Sequence, residues 1–298
     1  MLVHRSLEGI QIRNAVVTTG SFDGVHVGHR VIINRLRTLA KATGGESVLI
    51  TFYPHPRKVL YPDTQGSNLL MINTQREKIR LLEQAGLDHL VIIPFTLEFS
   101  KITSVDFIRH ILVGKLKAKC VVVGFNHHFG HNREGDYEYL FELGKFYGFS
   151  VEEIPEQDIH NEFVSSTKIR KALTEGNIQR ANAYLDHEFF ILGQVKDASH
   201  LPINQTNWHE IIPEELEKQL PPPGIYAGSL IVVGERVKAP VMVLHAPQRN
   251  RVFFASEEKV TGEVALFFHK RMRLLGADEP PVADVLRQDL RMIDELIY

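Results

Sequence analysis

Gly20-Ser21-Phe22-Asp23-Gly24-Val25-His26-Val27-Gly28-His29 is the stretch on which the reading of this chain turns. The apolar run Ala15-Val16-Val17 precedes it. Behind it, Ile32, Leu36, Leu39 and Ala40 recur on one helical face until Gly44-Gly45 stops the pattern. The stretch is therefore a junction from a buried strand to an amphipathic helix. In an open α/β sheet, ligands collect outside the carboxyl ends of the strands, where the first N–H groups of a helix face an anion. Gly20, Gly24 and Gly28 let backbone approach a phosphate closely. His26 and His29, at the head of the helix, can both donate hydrogen bonds to phosphate oxygens.

The same alternation continues on both sides. Val48-Leu49-Ile50, Leu90-Val91-Ile92-Ile93 and Val121-Val122-Val123 are short, branched, continuously apolar runs, which suits strands buried on both faces. Between them, Thr74-Gln75-Arg76-Glu77 reads as a capping box opening a helix with Ile79, Leu82 and Ala85 inward and Gly86 closing it. Ser104 opens another helix that ends near Gly114. The fold class is α/β, with a parallel sheet and right-handed crossovers. After residue 186 the texture changes. Phe189 to Leu192, Tyr226 to Val233, Val241 to Leu244, Val252 to Phe254 and Val264 to Phe268 read as strands with no helix between them, and 201–223 reads as a loop or long connection. Val282, Val285, Leu286, Leu290, Ile293 and Ile297 then fall at helical spacing behind Pro280-Pro281. A small antiparallel barrel or sheet with one terminal helix is expected, with domains at 1–186 and 187–298.

Length and composition agree with that division. A chain of 298 residues is an ordinary two-domain length. Its formal charge of −2, without a run of about five basic residues, argues against a dedicated nucleic-acid binder. One cysteine, Cys120, excludes a disulfide framework and a Cys-rich zinc site, and it fits a reducing compartment. No apolar stretch approaches the roughly 18 residues of a membrane span, and the N-terminus lacks a signal-peptide core. A cytoplasmic location without a membrane partner is expected. Nothing in the sequence sets the oligomeric state.

Two further segments carry chemistry by residue type. Ser165 or Ser166 is an N-cap candidate for a helix containing Ile169, Ala172 and Leu173. The hydroxyls of Ser165, Ser166 and Thr167 and the positive helix end suit polyphosphate, and Arg170 adds a charged fork one turn in. Pro54 and Pro56 flank His55 and fix a rigid turn.

These segments together resemble a known family. Gly20 to His29 is similar to the His-x-Gly-His signature of the nucleotidyltransferase superfamily, in the form found in the bacterial FAD synthetases, whose usual format is a bifunctional riboflavin kinase/FMN adenylyltransferase. Thr51-Phe52-Tyr53-Pro54-His55-Pro56, Gly124-Phe125-Asn126-His127-His128-Phe129-Gly130 with Arg133 and Gly135-Asp136 behind it, and Ser165-Ser166-Thr167-Lys168-Ile169-Arg170 resemble three more family motifs in order and spacing. The resemblance covers residues 14 to about 186. It implies a Rossmann-like nucleotidyltransferase domain followed by a small antiparallel β-barrel domain with a C-terminal helix. It implies AMP transfer from ATP to FMN, giving FAD and pyrophosphate, with Mg²⁺ on the triphosphate. His26, His29 and Arg170 are then the catalytic candidates. Gly20, Ser21, Phe22, Asp23, Gly24, Gly28, Ser165, Ser166 and Thr167 fall on the ATP phosphates, and Pro54, His55, Pro56, Asn126, Arg133 and Asp136 on the FMN side. Asp23 and Asp136 are the acidic candidates near the phosphates, either for hydrogen bonding or for outer contact with hydrated Mg²⁺. His127, His128 and His131 crowd one loop, but without thiols or a companion Glu-x-x-His helix no metal site is assigned.

The second half departs from the family. A riboflavin kinase domain would carry a glycine-rich hairpin followed by Pro-Thr-Ala-Asn. This chain keeps Gly193-Gln194-Val195 and then reads Lys196-Asp197-Ala198-Ser199-His200-Leu201-Pro202-Ile203-Asn204. A degenerate kinase barrel is expected, making the chain a monofunctional adenylyltransferase. The alternatives are a bifunctional enzyme with an unusual kinase site and a non-catalytic flavin-binding regulator on the same scaffold.

Overall fold

The computed structural model describes residues 1–64, 66–125, 128–155, 158–159, 162–197, 207–232, 234–276 and 283–296. They form two compact units, one of Met1–Leu69 with Lys78–Val164 and one of Leu70–Glu77 with Ser165–Tyr298.

The first unit is built on six parallel strands: β1 (Leu2–His4), β2 (Val16–Thr19), β3 (Ser47–Tyr53), β4 (His89–Pro94), β5 (Cys120–Gly124) and β6 (Ser150–Ile154). Their order is β1-β4-β3-β2-β5-β6. The four apolar runs read in the sequence are β2 to β5, buried on both faces as continuous branched runs must be. Helix α1 (Val27–Ala42) buries Ile33, Leu36 and Ala40, with Ile32 only half-buried. Helices α2 (Pro56–Leu60) and α3 (Gln75–Gln84) follow. The Thr74 capping box forms as read: Thr74 N–H donates to Glu77 Oε2 at 2.9 Å and Glu77 N–H to Thr74 Oγ1 at 3.2 Å. The inward face of α3 is Leu81 and Leu82 rather than Ile79. Helix α4 (Ser104–Asp106), capped by Thr103, runs on as π-helical turns over Phe107–Lys115. Phe107, Ile108, Ile111 and Leu112 from these turns and Leu140 from α5 (Tyr137–Tyr147) bury Val17, Ile50, Val91 and Val121 of the sheet. A two-stranded ribbon, β7 (Asp158–Ile159) with β8 (Glu162–Phe163), completes this unit. Consecutive strands step outward from β2 through β3 to β4, then return beside β2 with β5. This reversal places the topological switch at β2 and β5, where an open α/β sheet offers its ligand crevice.

The second unit holds α6 (Ser166–Thr174) and α7 (Ile178–Leu185), then β9 (Phe189–Asp197), β10 (Trp208–Pro213), β11 (Gly224–Val232), β12 (Glu235–Leu244), β13 (Arg251–Ala255), β14 (Glu263–Leu274) and α8 (Ala283–Glu295). The strands close into an antiparallel barrel in the order β10-β13-β12-β11-β14-β9, which leaves no free edge. Leu286 and Ile293 of α8 pack on Trp208, Ile225, Met242 and Phe253. Strand β10 corrects the sequence reading of 201–223 as a connection. Its alternation is masked because polar residues are buried in it: Glu210 is 9% exposed, held by a fork from Arg251 at 2.7 and 2.6 Å. Residues 198–206, where the kinase-like segment departs from its family, lie outside the described residues.

Glu77 and Lys218 form an ion pair at 2.5 Å whose side chains are both fully buried. The carboxylate also accepts from Leu192 N–H at 2.8 Å, and the ammonium donates to the Ile72 carbonyl at 2.6 Å. Each buried charge thus has several partners, as burial requires.

Candidate active site

The Gly20–His26 loop leaves the carboxyl end of β2 at the topological switch. Phe22 (φ 46°) and Val25 (φ 42°) are left-handed, together with Gly24 (φ 93°). A β-branched residue at positive φ is an outlier that costs of order 1–3 kcal/mol and persists only where the surroundings enforce it. Here the enforced conformation folds Phe22 inward, 3% exposed, with its ring 4.3 Å from that of His29. His29 in turn stacks on His26 at 3.6 Å and 20°. Gly20 makes room for the stack, since a Cβ there would lie 3.1 Å from the Phe22 ring. His26 stands at the N-cap of α1 without a side-chain cap bond, and the first turn carries no acidic residue. A helix opening of that kind presents N–H groups and positive potential to an anion.

Burial, then His26, then the ammonium of Lys78 hold the His29 imidazole well below its ordinary pKa. Its Nδ1 is buried and makes no hydrogen bond among the described residues. His29 is therefore neutral at pH 7. Lys78, 4% exposed, donates from Nζ to the Ser21 carbonyl at 2.8 Å, and Thr51 Oγ1 approaches the same oxygen at 3.2 Å. Asp23 is wholly buried in the loop.

Beside the loop lies a cavity of about 850 Å³. Ser21 lines it on one side, His55 and Pro56 on another, and Phe99, Phe129 and His131 on a third. The Tyr53–Pro54 peptide is cis, and His55 caps α2 by accepting from Arg57 N–H at 3.2 Å. Phe52, Phe95 and Phe99 form a triangle of rings 5.7 Å apart, giving the cavity an aromatic wall. The 128–135 segment is held by several hydrogen bonds. Phe129 and Gly135 exchange backbone bonds at 3.0 Å, His131 Nδ1 lies 3.0 Å from the Ser100 carbonyl, and Glu134 accepts from the Ser104 N–H and hydroxyl at 2.8 and 3.0 Å. Those Ser104 bonds hold the Glu134 carboxyl below its usual range. Gly130 (φ 78°) touches the start of α4, where a Cβ would sit 2.7 Å from Ser104 backbone. Gly130→Ala meets both the left-handed penalty and that contact. It is expected to lower stability by about 1–3 kcal/mol, read as a lower Tm, and an unchanged melt would remove this constraint.

Of the residues singled out in the sequence, Gly20–Gly24, His26, Gly28, His29 and Pro54–Pro56 gather in the first unit around the loop and cavity. Asp136 caps α5, accepting from Tyr139 N–H at 2.9 Å. Asn126 and the Arg133 side chain lie outside the described residues. Ser165 belongs to the second unit, where it caps α6 by accepting from Lys168 N–H at 3.4 Å. Arg170, one turn into α6, donates from Nε to the Leu70 carbonyl at 2.8 Å. Lys78, Phe95 and Phe99 escaped the sequence reading. Only the aromatic spacing after β4 could have flagged any of them.

Comparison with known proteins bears on this geometry directly. The family model for FAD synthetase matches residues 10–168. The bifunctional riboflavin kinase/FMN adenylyltransferase of Escherichia coli is 32% identical over 222 residues, covering 74% of this chain and 69% of that protein. The protein of the same name from Pseudomonas fluorescens is 30% identical over 223 residues, covering 75% and 70%. A crystal structure described as a macrolide-efflux protein from Streptococcus pneumoniae superposes with a TM-score of 0.83 over 99% of this chain and 97% of its own, at 21% identity, a likeness of fold. With its histidine stack at the β2/β5 switch and its matched motifs, this chain belongs to the FAD synthetase family.

Proposed function

We propose that the chain makes FAD by transferring AMP from ATP to FMN with release of pyrophosphate. The observation that carries this reading is the Phe22–His29–His26 stack at the opening of α1, next to a cavity of about 850 Å³ with an aromatic wall. An FMN phosphate oxygen attacks the α-phosphorus of ATP, a new P–O bond forms, and the bond to the β-phosphate breaks with its electron pair leaving on pyrophosphate. A phosphate monoester has its second pKa near 6, so the nucleophile is already mostly dianionic at pH 7. No general base is needed, and the protein's work is positioning and charge stabilisation.

His26 and His29 donate to the ATP phosphates with Gly20, Ser21, Phe22, Asp23, Gly24 and Gly28 shaping the loop. Ser165, Ser166, Thr167 and Arg170 are assigned to the β- and γ-phosphates. Pro54, His55, Pro56, Asn126, Arg133 and Asp136 are assigned to the FMN side. Mg²⁺ is a hard, oxygen-seeking ion that would neutralise charge on the triphosphate. Asp23 in the loop and Asp136 at the head of α5 are the acidic groups assigned either to hydrogen bonding near the phosphates or to the water shell of Mg²⁺. The functional division is placed at 1–186 and 187–298, keeping the α6 hydroxyls with the adenylyltransferase, and the site of action in the cytoplasm.

The second domain is proposed to lack riboflavin kinase activity, because the chain has no Pro-Thr-Ala-Asn segment after Gly193. Purified protein with ATP and Mg²⁺ should give FAD from FMN and no FMN or FAD from riboflavin, as read by chromatography. Conversion of riboflavin would establish a kinase site in the barrel. No product from either substrate would favour a flavin-binding regulator.

A further inference from the structure

The mechanism above gives no role to the buried ammonium of Lys78. Lys78 is 4% exposed on α3, immediately after the capping-box glutamate, and its ammonium bonds the carbonyl of Ser21 at 2.8 Å. Ser21 is the residue from which the strained loop departs: Phe22 and Val25, both left-handed, follow it directly. The Ser21 carbonyl thus accepts from two donors, a buried ammonium and the Thr51 hydroxyl, and rotating it would break both bonds. The ring that the loop carries inward is the one stacked on His29. A fixed Ser21 carbonyl therefore fixes the Phe22 ring, and through it the His29 ring.

We propose that Lys78 is a positioning residue for AMP transfer, its buried ammonium clamping the Ser21 carbonyl so that the Phe22–His29–His26 stack is held ready for the polyphosphate. The inference rests on the adenylyltransferase reading. Lys78 does not itself touch the reacting atoms. It also acts on His29 through space. His26 stands at the head of the same helix, Asp23 in the covering loop and Arg30 in the next position of α1. Of the charged groups, His26 and Lys78 are the ones that disfavour a proton on His29, adding to the effect of burial. The His29 ring therefore enters the reaction neutral, as an N–H donor whose protonation the arriving phosphates can promote.

A clamp and a merely structural lysine differ in what their loss does to His29. Lys78→Met keeps the buried stem and removes the charge. It is expected to lower kcat roughly 10- to 100-fold through misplacement while leaving KM within about threefold. In the ligand-free protein, the His29 imidazole followed by NMR should titrate about one pH unit higher, the size of an ordinary charge effect. Lys78→Arg, which restores the charge, should return the His29 titration to its wild-type position. Lys78→Gln supplies a second neutral variant if Lys78→Met does not fold. A neutral variant that folds, with kcat and the His29 titration both unmoved, overturns the clamp. A wild-type chain that makes no FAD overturns the adenylyltransferase reading instead, and the ligand-free titration still decides whether Lys78 acts on His29.

Discussion

His29→Ala is expected to lower kcat for FAD formation by roughly 100- to 1,000-fold, the usual loss when a donor aimed at developing charge is removed. The reason lies in where the ring sits. His29 is sandwiched between Phe22 at 4.3 Å and His26 at 3.6 Å, so its orientation is set before substrate arrives. Negative charge grows on the phosphate oxygens only as the α–β bond breaks. A donor preorganised for that charge acts more strongly in the transition state than in the bound ground state, so kcat falls while KM stays near the wild-type value. His29→Asn keeps a neutral N–H donor and should lose less. Equal kcat values for wild type and His29→Ala would remove this residue from the mechanism.

Glu77→Ala destabilises the chain by about 3–5 kcal/mol, the cost of leaving a buried charge without its partner. Removal of the carboxylate takes from Lys218 its counter-charge and from the Thr74 and Leu192 N–H groups their acceptor. Lys218→Met does less harm. Its apolar stem stays buried near the Phe189 ring, which the ammonium now faces at 4.4 Å, and the Glu77 carboxylate keeps its two N–H donors. Because the two side chains share one network, the double variant loses less than the sum of the singles. Denaturant melts of the intact chain give all three values. Single variants within about 0.5 kcal/mol of wild type, the range of ordinary surface changes, would refute the account.

Local chemistry made part of this architecture legible. Strands β2 to β5 announce themselves because a strand covered on both faces needs an unbroken apolar run, and Val121-Val122-Val123 has no other use. The Thr74–Glu77 box is legible because both partners lie within one turn. The other partners of Glu77, Leu192 and Lys218, stand 115 and 141 positions away, and no periodicity marks them. Strand β10 stayed hidden because His209 and Glu210 interrupt its apolar pattern, and the compensation for Glu210 comes from Arg251 across the barrel wall. At the site, the histidines and glycines mark the junction after β2 in the sequence as the candidate loop. The ring stack was not legible there, because it depends on positive φ at Phe22 and Val25, residues that would ordinarily avoid it. Lys78 was invisible for a similar reason: one lysine near a helix start is ordinarily solvated.

The buried Glu77–Lys218 pair also dictates an order of assembly on the ribosome. At a synthesis rate of roughly 5–20 residues per second, Lys218 emerges on the order of ten seconds after Glu77. Through that interval the carboxylate stays hydrated, served only by its own helix. The last strand of the parallel sheet, β6, ends at Ile154, so every strand of that sheet has been made before the first strand of the barrel exists. The segment Leu70–Glu77, translated early yet belonging to the second unit, is thus a docking peg made in advance, and it finds its socket only when the nascent chain has delivered Leu192 and Lys218.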